Sequence, residues 1–244
     1  FRDPADVADE MAWCLKRWPF KAVYFDDDTF NISKPHVLQL CEEIKKRNIT
    51  IPWAAMCRAD RFDRETLEEC RKAGLFAVKY GIESADQSII DGIHKNLNLE
   101  TAEQVIAMTR ELGIKVHLTL VLGLPGETEQ TIKKTWRFVK RVKADYMQFS
   151  LSTPYPGTEL YEQAAKKGWI EAIDWSSFNA DSQASMRTDA LTREQLESWI
   201  RTLNLRRMAL QLINNPIDCL KMYGRKMLNS PKKIANIARS ILHR

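Results

Sequence analysis

Along the first 170 residues, short runs of apolar residues alternate with stretches in which apolar residues recur every three or four positions. Five runs read as strands: 21–25 (KAVYF), 51–57 (IPWAAMC), 75–80 (LFAVKY), 116–122 (VHLTLVL) and 146–151 (YMQFSL). They are short, β-branched or aromatic, and nearly continuous in apolar character, the pattern of strands covered on both faces. The intervening stretches carry helix punctuation. Asp3 stands as an N-cap before Pro4 at the first helical position, opening a helix to about residue 18. A second helix is predicted over about 36–47, and a third follows Asp63 and stops at Gly74, a left-handed C-terminal residue. A fourth begins near Leu99, with Thr101 and Gln104 at capping spacing, and ends at Gly113. Two more run from after Gly126 to about Lys143 and from Thr158 to Gly168. Strands joined by helical crossovers of this length form a parallel sheet wound right-handedly, with the helices outside. The expected fold is α/β, a barrel or partial barrel, with an open doubly wound sheet as the competitor; five strands are too few for a closed eight-stranded barrel.

After Trp169 the alternation stops. Residues 170–190 are polar and irregular, and Thr192 with Gln195 fits a capping box opening a helix to about Leu212. The Asn214-Asn215-Pro216 step breaks that helix, and two short basic helices are predicted beyond it. The organisation expected is a core over 1–170, a connector over 171–190 and a basic helical extension over 191–244.

Composition narrows the class. With 44% apolar residues, nine Gly, nine Pro and a net charge of +5, the chain is neither collagen-like, low-complexity nor disordered. No apolar run approaches the roughly 20 residues of a membrane-spanning helix and no signal-peptide pattern is present, so a soluble protein is expected, and the scattered cysteines point to a reducing compartment, the cytoplasm. The five cysteines are scattered at Cys14, Cys41, Cys57, Cys70 and Cys219, with no disulfide framework and no pair at metal-ligand spacing. From Arg201 onward ten Lys/Arg face one acid, Asp218, which leaves the first 200 residues mildly acidic.

In parallel β/α architectures, ligands meet the loops at the carboxyl ends of the strands. The first strand is followed by Asp26-Asp27-Asp28, three carboxylates that repel one another unless a cation, a ligand amine or an arginine sits nearby. Arg58 follows the second strand and is suited to pair with a carboxylate, from the protein or from a ligand. Glu83 and Ser84 follow the third. Leu122 runs into Gly123-Leu124-Pro125-Gly126-Glu127 after the fourth, where the glycines let backbone approach a ligand and Pro125 stiffens the turn. Tyr155 lies in the Pro/Gly loop after the fifth. His117, early in the fourth strand, reads as a core histidine, and the cysteines read as packing residues.

Taken together, VYFDDDTF, KYGIES, LVLGLPGET and STPYPGTELYEQAAKKG, in this order and spacing, resemble the radical S-adenosylmethionine enzymes. The likeness is greatest to the branch carrying a cobalamin-binding domain ahead of the radical domain, of the hopanoid-biosynthesis and anaerobic porphyrin-cyclase type. It covers residues 1–170. The resemblance implies a partial (β/α)6 barrel holding a [4Fe-4S] cluster and S-adenosylmethionine, whose reductive cleavage gives a 5′-deoxyadenosyl radical for hydrogen abstraction, methyl transfer or rearrangement. By position it implies that Asp26, Asp27 and Asp28 meet the methionyl amine and that Arg58 holds the methionyl carboxylate. Glu83 and Ser84 fall at ribose and methionyl contacts, Leu122, Gly123, Pro125 and Gly126 beside adenine, and Glu127 behind them. Tyr155 would face substrate as the one catalytic candidate. The substrate implied is a small organic or lipid molecule, served by a reductant for the cluster.

One departure is plain. The family ligates its cluster with CxxxCxxC, and no such spacing occurs here. The chain starts at Phe1, and the expectation is a fragment missing the first barrel strand, the cluster loop and the cobalamin domain, unable alone to cleave S-adenosylmethionine.

Three further readings complete the set. Residues 216–244 include an amphipathic pattern (Ile234, Ile237, Ala238, Ile241 against Lys232, Lys233, Arg239) that would either dock on the barrel or rest peripherally on an anionic membrane. A Mg²⁺-dependent transferase or lyase would use Asp26 and Asp28 as metal ligands, with Glu83 the one obvious partner. A non-catalytic scaffold would use the basic tail. Nucleic acid is not expected, since the tail has one aromatic, Tyr223, after Trp199 and no reading motif.

Overall fold

A computed structural model describes residues 1–170, 180 and 182–214. Half of the predicted connector (171–179 and 181), Cys219 and the whole basic stretch 216–244 lie outside the described residues. The elements are α1 (Pro4–Arg17), β1 (Val23–Phe25), a 3-10 turn (Phe30–Ile32), α2 (Lys34–Lys46), β2 (Trp53–Cys57), α3 (Arg64–Lys72) and β3 (Leu75–Glu83). They continue with α4 (Gln87–Gly92), α5 (Leu99–Glu111), β4 (Lys115–Leu122), α6 (Glu129–Val142), β5 (Tyr146–Leu151), α7 (Glu159–Lys166) and α8 (Arg193–Asn214). The strands hydrogen-bond in the order β1-β2-β3-β4-β5.

The predicted punctuation is visible at atomic level. Asp3 accepts the Ala5 N–H ahead of Pro4, Asp63 accepts from Thr66, and Gly74 closes α3 at φ +102°. Thr192 and Gln195 cap α8 reciprocally, each backbone N–H meeting the other's side-chain oxygen. Two local readings change. The cap of α5 is Asn98, whose side chain accepts from Thr101, so the Thr101/Gln104 spacing is a coincidence of composition inside the first turn. The strand β3 continues past Tyr80 through Gly81 and Ile82 to Glu83, because Ile82 keeps the buried alternation going and Gly81 interrupts nothing.

The chain divides into two compact units, Phe1–Ile82 with Leu97–Leu118, and Glu83–Asn96 with Thr119–Arg244. In the first, β1 pairs parallel with β2 (Val23↔Trp53) and β2 with β3 (Met56↔Lys79, Cys57↔Tyr80). A register shift near Trp53/Ala54 is taken up beside Phe76. The helices α1, α2, α3 and α5 pack each on the next in chain order. A doubly wound sheet would instead reverse its strand order at a switch point and send helices to both faces. Sequential strands with neighbouring helices are the barrel-type arrangement.

The core of this unit lies between that helical layer and the sheet. Trp53 is fully buried, its indole N–H donates to the Ala73 carbonyl at 2.8 Å, and its ring stacks with Phe25 and Phe30 at centroid separations of 5.4 Å. Tyr80 is also fully buried and shares a hydrogen bond with Thr109 of α5. Trp53→Ala would remove one of the largest buried side chains, a loss of the order of 3–5 kcal/mol. In the second unit α6 buries Ile132, Phe138, Val139 and Val142, and α8 packs on β5. Trp169 closes a small cluster with Ala164 and Met186 and donates its indole N–H to Asp189.

Candidate functional site

Each predicted segment leaves the carboxyl end of its strand. In the first unit Asp26, Asp27 and Asp28 follow β1, and all three are exposed. Asp27 lines a cavity of about 490 Å³ between α1 and β1, alongside Met11, Tyr24, Phe25 and His36. Arg58 follows β2, half-buried, and its position is fixed from both ends. Asn31 exchanges two 2.9 Å hydrogen bonds with the Arg58 backbone. The guanidinium forks onto Asp60, Nε to Oδ1 at 3.0 Å and Nη2 to Oδ2 at 2.8 Å. That edge of Arg58 is therefore filled by protein, and a ligand carboxylate there must displace Asp60.

The second unit holds the denser chemistry. Glu83 sits at φ +62°, and its carboxylate pairs with Lys95, which lies between His94 (φ +53°) and Asn96 (φ +50°). Three non-glycine residues in left-handed conformation meet at one half-buried ion pair. Such backbone strain persists only where the surroundings over-determine it, and it concentrates at ligand sites. Ser84 is fully buried and its hydroxyl accepts the Asp86 N–H, so it shapes the turn rather than presenting a group outward. Asp86 caps α4, accepts from Ser88, and pairs with Lys134 of α6 at 2.9 Å, while the Ala85 N–H donates to Thr135. The loop is tied down along its whole length.

The loop after β4 is built around Glu127. The Glu127 N–H donates to the Leu124 carbonyl at 3.0 Å, closing a tight turn with Pro125 and Gly126 in its centre, Gly126 at φ +81°. The side chain folds back, and Oε2 accepts the Gly123 N–H. Gly123 is also at φ +81°, and a methyl group there would stand 3.2 Å from Leu196 of α8. Leu122 and Glu127 are buried, and the second carboxyl oxygen of Glu127, Oε1, has no hydrogen-bond partner. Burial pushes the Glu127 carboxyl up to about 8, against the opposing pull of the Gly123 and Leu124 N–H groups. Tyr155, after β5, is 53% exposed, and its carbonyl accepts from Thr158 at the start of α7.

The described cysteines form no ligand cluster. Cys41, Cys57 and Cys70 are buried among the helices and β2, with the Cys41 and Cys70 sulfurs 3.7 Å apart. Burial raises the Cys57 thiol, and the contact with Cys41 does the same for Cys70. Among the described residues no group of three or more His, Cys, Asp or Glu converges to hold a metal ion. A Mg²⁺ site at Asp26 and Asp28 therefore lacks its further ligands, and the residues present do not fit a [4Fe-4S] cluster. Among the described residues, no helix is long and apolar enough to cross a membrane.

Sequence reasoning missed two features. The short helix α4 was hidden by its six-residue length, although Asp86-Gln87-Ser88 before Ile89-Ile90 is a capping signal. Lys95, the partner of Glu83, lies twelve residues downstream and carried no signal. His117 is half-exposed rather than a core residue, because β4 turns Val116 and Leu118 to the helices and His117 to the opposite face.

A parallel sheet in chain order, with tied-down polar loops at its strand ends, defines a barrel-type α/β protein whose ligands meet those loops. The sequence profile of the Radical SAM superfamily matches residues 1–139, and the chain belongs to that superfamily. It is 27% identical over 195 residues to an uncharacterised methyltransferase of Pyrococcus horikoshii, covering 80% of this chain and 42% of that protein. It is 27% identical over 197 residues to the anaerobic magnesium-protoporphyrin IX monomethyl ester cyclase of Rubrivivax gelatinosus, covering 80% and 35%. The chain thus spans less than half the length of these relatives. Among solved structures, the radical S-adenosylmethionine methyltransferase TsrM from Kitasatospora setae, with cobalamin and a [4Fe-4S] cluster bound, matches with a TM-score of 0.62 at 23% identity. That match covers 71% of this chain and 35% of TsrM. The same enzyme with tryptophan and a S-adenosylmethionine analogue matches with a TM-score of 0.60 at 25% identity, over 67% and 34%.

Proposed function

We propose that this chain is the S-adenosylmethionine-binding part of a radical enzyme that transfers a methyl group to, or cyclises, a small organic substrate of tetrapyrrole or lipid type. The observation that carries this reading is the loop pair of the second unit: the strained Glu83–Lys95 segment and the Gly123–Glu127 turn, both rigidly held at strand ends. In a superfamily member those are the segments that meet the nucleoside. Glu83 offers a carboxylate to ribose hydroxyls. The Gly123 to Gly126 backbone, free of Cβ atoms at its two left-handed positions, offers a surface that a planar base can approach. Glu127 braces that surface from behind, and Ser84 fixes the turn that orients Glu83.

In the first unit, taken by itself, the exposed carboxylates of Asp26, Asp27 and Asp28 suit an ammonium group such as the methionyl amine, and Arg58, already forked onto Asp60, suits a carboxylate by exchange of partners. When bound, S-adenosylmethionine supplies the one-electron chemistry or the methyl group; this chain's residues bind, orient and shield it. Tyr155 is the candidate on the substrate side. No residue of the chain is assigned to the cluster or to the cobalamin that relatives hold. Peripheral membrane contact through 216–244 belongs to the same proposal and is read by flotation with anionic vesicles.

Titration calorimetry with S-adenosylhomocysteine, which keeps both the nucleoside and the amino-acid end, tests the reading. Saturable binding is expected, weakened at least ~tenfold in Gly126→Val, because a β-branched side chain is badly strained at φ +81° and stands over the approach surface. Binding that is absent, or unchanged in a folded Gly126→Val protein, overturns it.

A further inference from the structure

Where α1 hands over to β1, the first unit exposes three large aromatic rings in contact. Trp13, Trp18 and Phe20 are 49%, 46% and 50% exposed. The Trp13 and Trp18 rings meet edge-on with centroids 5.4 Å apart, and Trp18 lies 6.0 Å from Phe20. Backbone holds the group in shape. The Trp18 N–H donates to the Cys14 carbonyl at the end of α1, and the Phe20 N–H donates back to the Trp18 carbonyl across Pro19. A single exposed ring needs no explanation, but a contiguous apolar patch marks an interaction surface.

The charge around these rings has one sign. Lys16, Arg17 and Lys21 are exposed and interleaved with them, and no acidic residue stands between Glu10 and Asp26. The Arg17 guanidinium lies over the Trp13 ring, 3.9 Å from its centroid. Elsewhere in this unit surface lysines meet carboxylates: Lys34 pairs with Asp63 and Glu65, Lys45 and Lys72 with Glu69. Among the described residues Lys16 and Lys21 meet none. Beside the rings, a groove of about 520 Å³ runs between the end of α1 and the loop joining α2 to β2. Leu15, Ile49 and Pro52 are among its walls, and its charged lining residues are Lys16, Lys21 and Arg47. Arg47 is engaged by Asp9 and Glu43, so the two lysines carry the groove's uncompensated charge.

We infer that this face rests on an anionic lipid bilayer, with Trp13, Trp18 and Phe20 at the headgroup boundary and Lys16 and Lys21 on lipid phosphates. The composition separates a bilayer from a protein partner. Lysine is depleted from protein–protein interfaces, whereas Trp and Phe beside Lys and Arg are what an interfacial anchor presents. The lysine stems lie along apolar surface while their ammonium groups reach the phosphates. Strand direction sets the orientation. Lys21 precedes β1 while Asp26, Asp27 and Asp28 follow it, so cations and carboxylates stand at opposite ends of one strand. An anionic surface attracts the first end and repels the second, which turns the acidic loop of this unit toward water. The contact is separate from the one proposed for 216–244 and does not depend on the cofactor reading.

Co-sedimentation of the full chain with two kinds of vesicle tests this: phosphatidylcholine alone, and phosphatidylcholine with about a third phosphatidylserine. Every variant keeps residues 216–244, so any contribution of theirs is common to all. The parent is expected to bind the phosphatidylserine vesicles, at least ~tenfold more tightly than phosphatidylcholine alone. The double variants Trp18→Ser/Phe20→Ser and Lys16→Ala/Lys21→Ala each lower that partitioning at least ~tenfold. Lys45→Ala/Lys72→Ala removes the same charge away from the patch and stays within about threefold of the parent. All these positions are at the surface, and melting curves confirm that the variants fold. No binding to phosphatidylserine vesicles, the result a protein partner at this face would give, overturns the inference. Undiminished binding in either folded patch variant, or an equal loss in Lys45→Ala/Lys72→Ala, overturns it as well.

Discussion

Glu127 is the residue whose environment decides most. Its carboxyl is buried, one oxygen is used by the Gly123 N–H, the other has no partner, and its pKa rises from 4.5 to about 8. At neutral pH it therefore holds its proton in the folded protein. The unfolded chain releases that proton above pH 4.5, so the native state binds more protons between 4.5 and about 8. Across that window stability falls as pH rises, by about 1.4 kcal/mol per pH unit, and levels off above it. Glu127→Gln copies the protonated acid without the titration. Its melting temperature is expected to gain on the parent from pH 5 to about pH 8 and to hold that lead above it; a difference that stays flat with pH throughout would show that the carboxyl does not titrate there. Arg58 makes the contrasting case: its chemistry was legible from its place after a strand, but its pairing with Asp60, two residues on, depends on side-chain geometry that spacing does not disclose.

At the level of elements, what was legible followed from punctuation. Asp3-Pro4, Asp63 and Gly74 each have a local physical cause, a side-chain cap or a left-handed stop, and each appears where the sequence places it. The cap of α5 was less legible because two candidates compete within four residues, and the choice between Asn98 and Thr101 depends on where Leu97 must be buried. Asn98→Ala is expected to cost about 1 kcal/mol in denaturant unfolding, as loss of an N-cap does, with Thr101→Ala costing clearly less. The reverse order would restore Thr101 as the cap. The end of β3 was missed for a related reason. Glycine after an aromatic reads as a stop, whereas Ile82 carries the alternation on and delivers Glu83 into its strained conformation. Faces were harder than boundaries: His117 reads as core from sequence, since alternation says that two faces exist but not which of them the helices cover.

At the scale of the molecule, the sequential strand order and the helices packed in chain order define the barrel-type fold, and the superfamily match accounts for the polar loops at the strand ends. The central claim is that these loops bind S-adenosylmethionine. Hydrogen exchange of the intact protein, reconstituted anaerobically and compared with and without S-adenosylmethionine, addresses it segment by segment. The account predicts slowed exchange in 83–86 and 122–128, and in 26–31 after β1, with the helices α3 and α5 unchanged. Slowed exchange elsewhere, with these three segments unaffected by saturating S-adenosylmethionine, would contradict it.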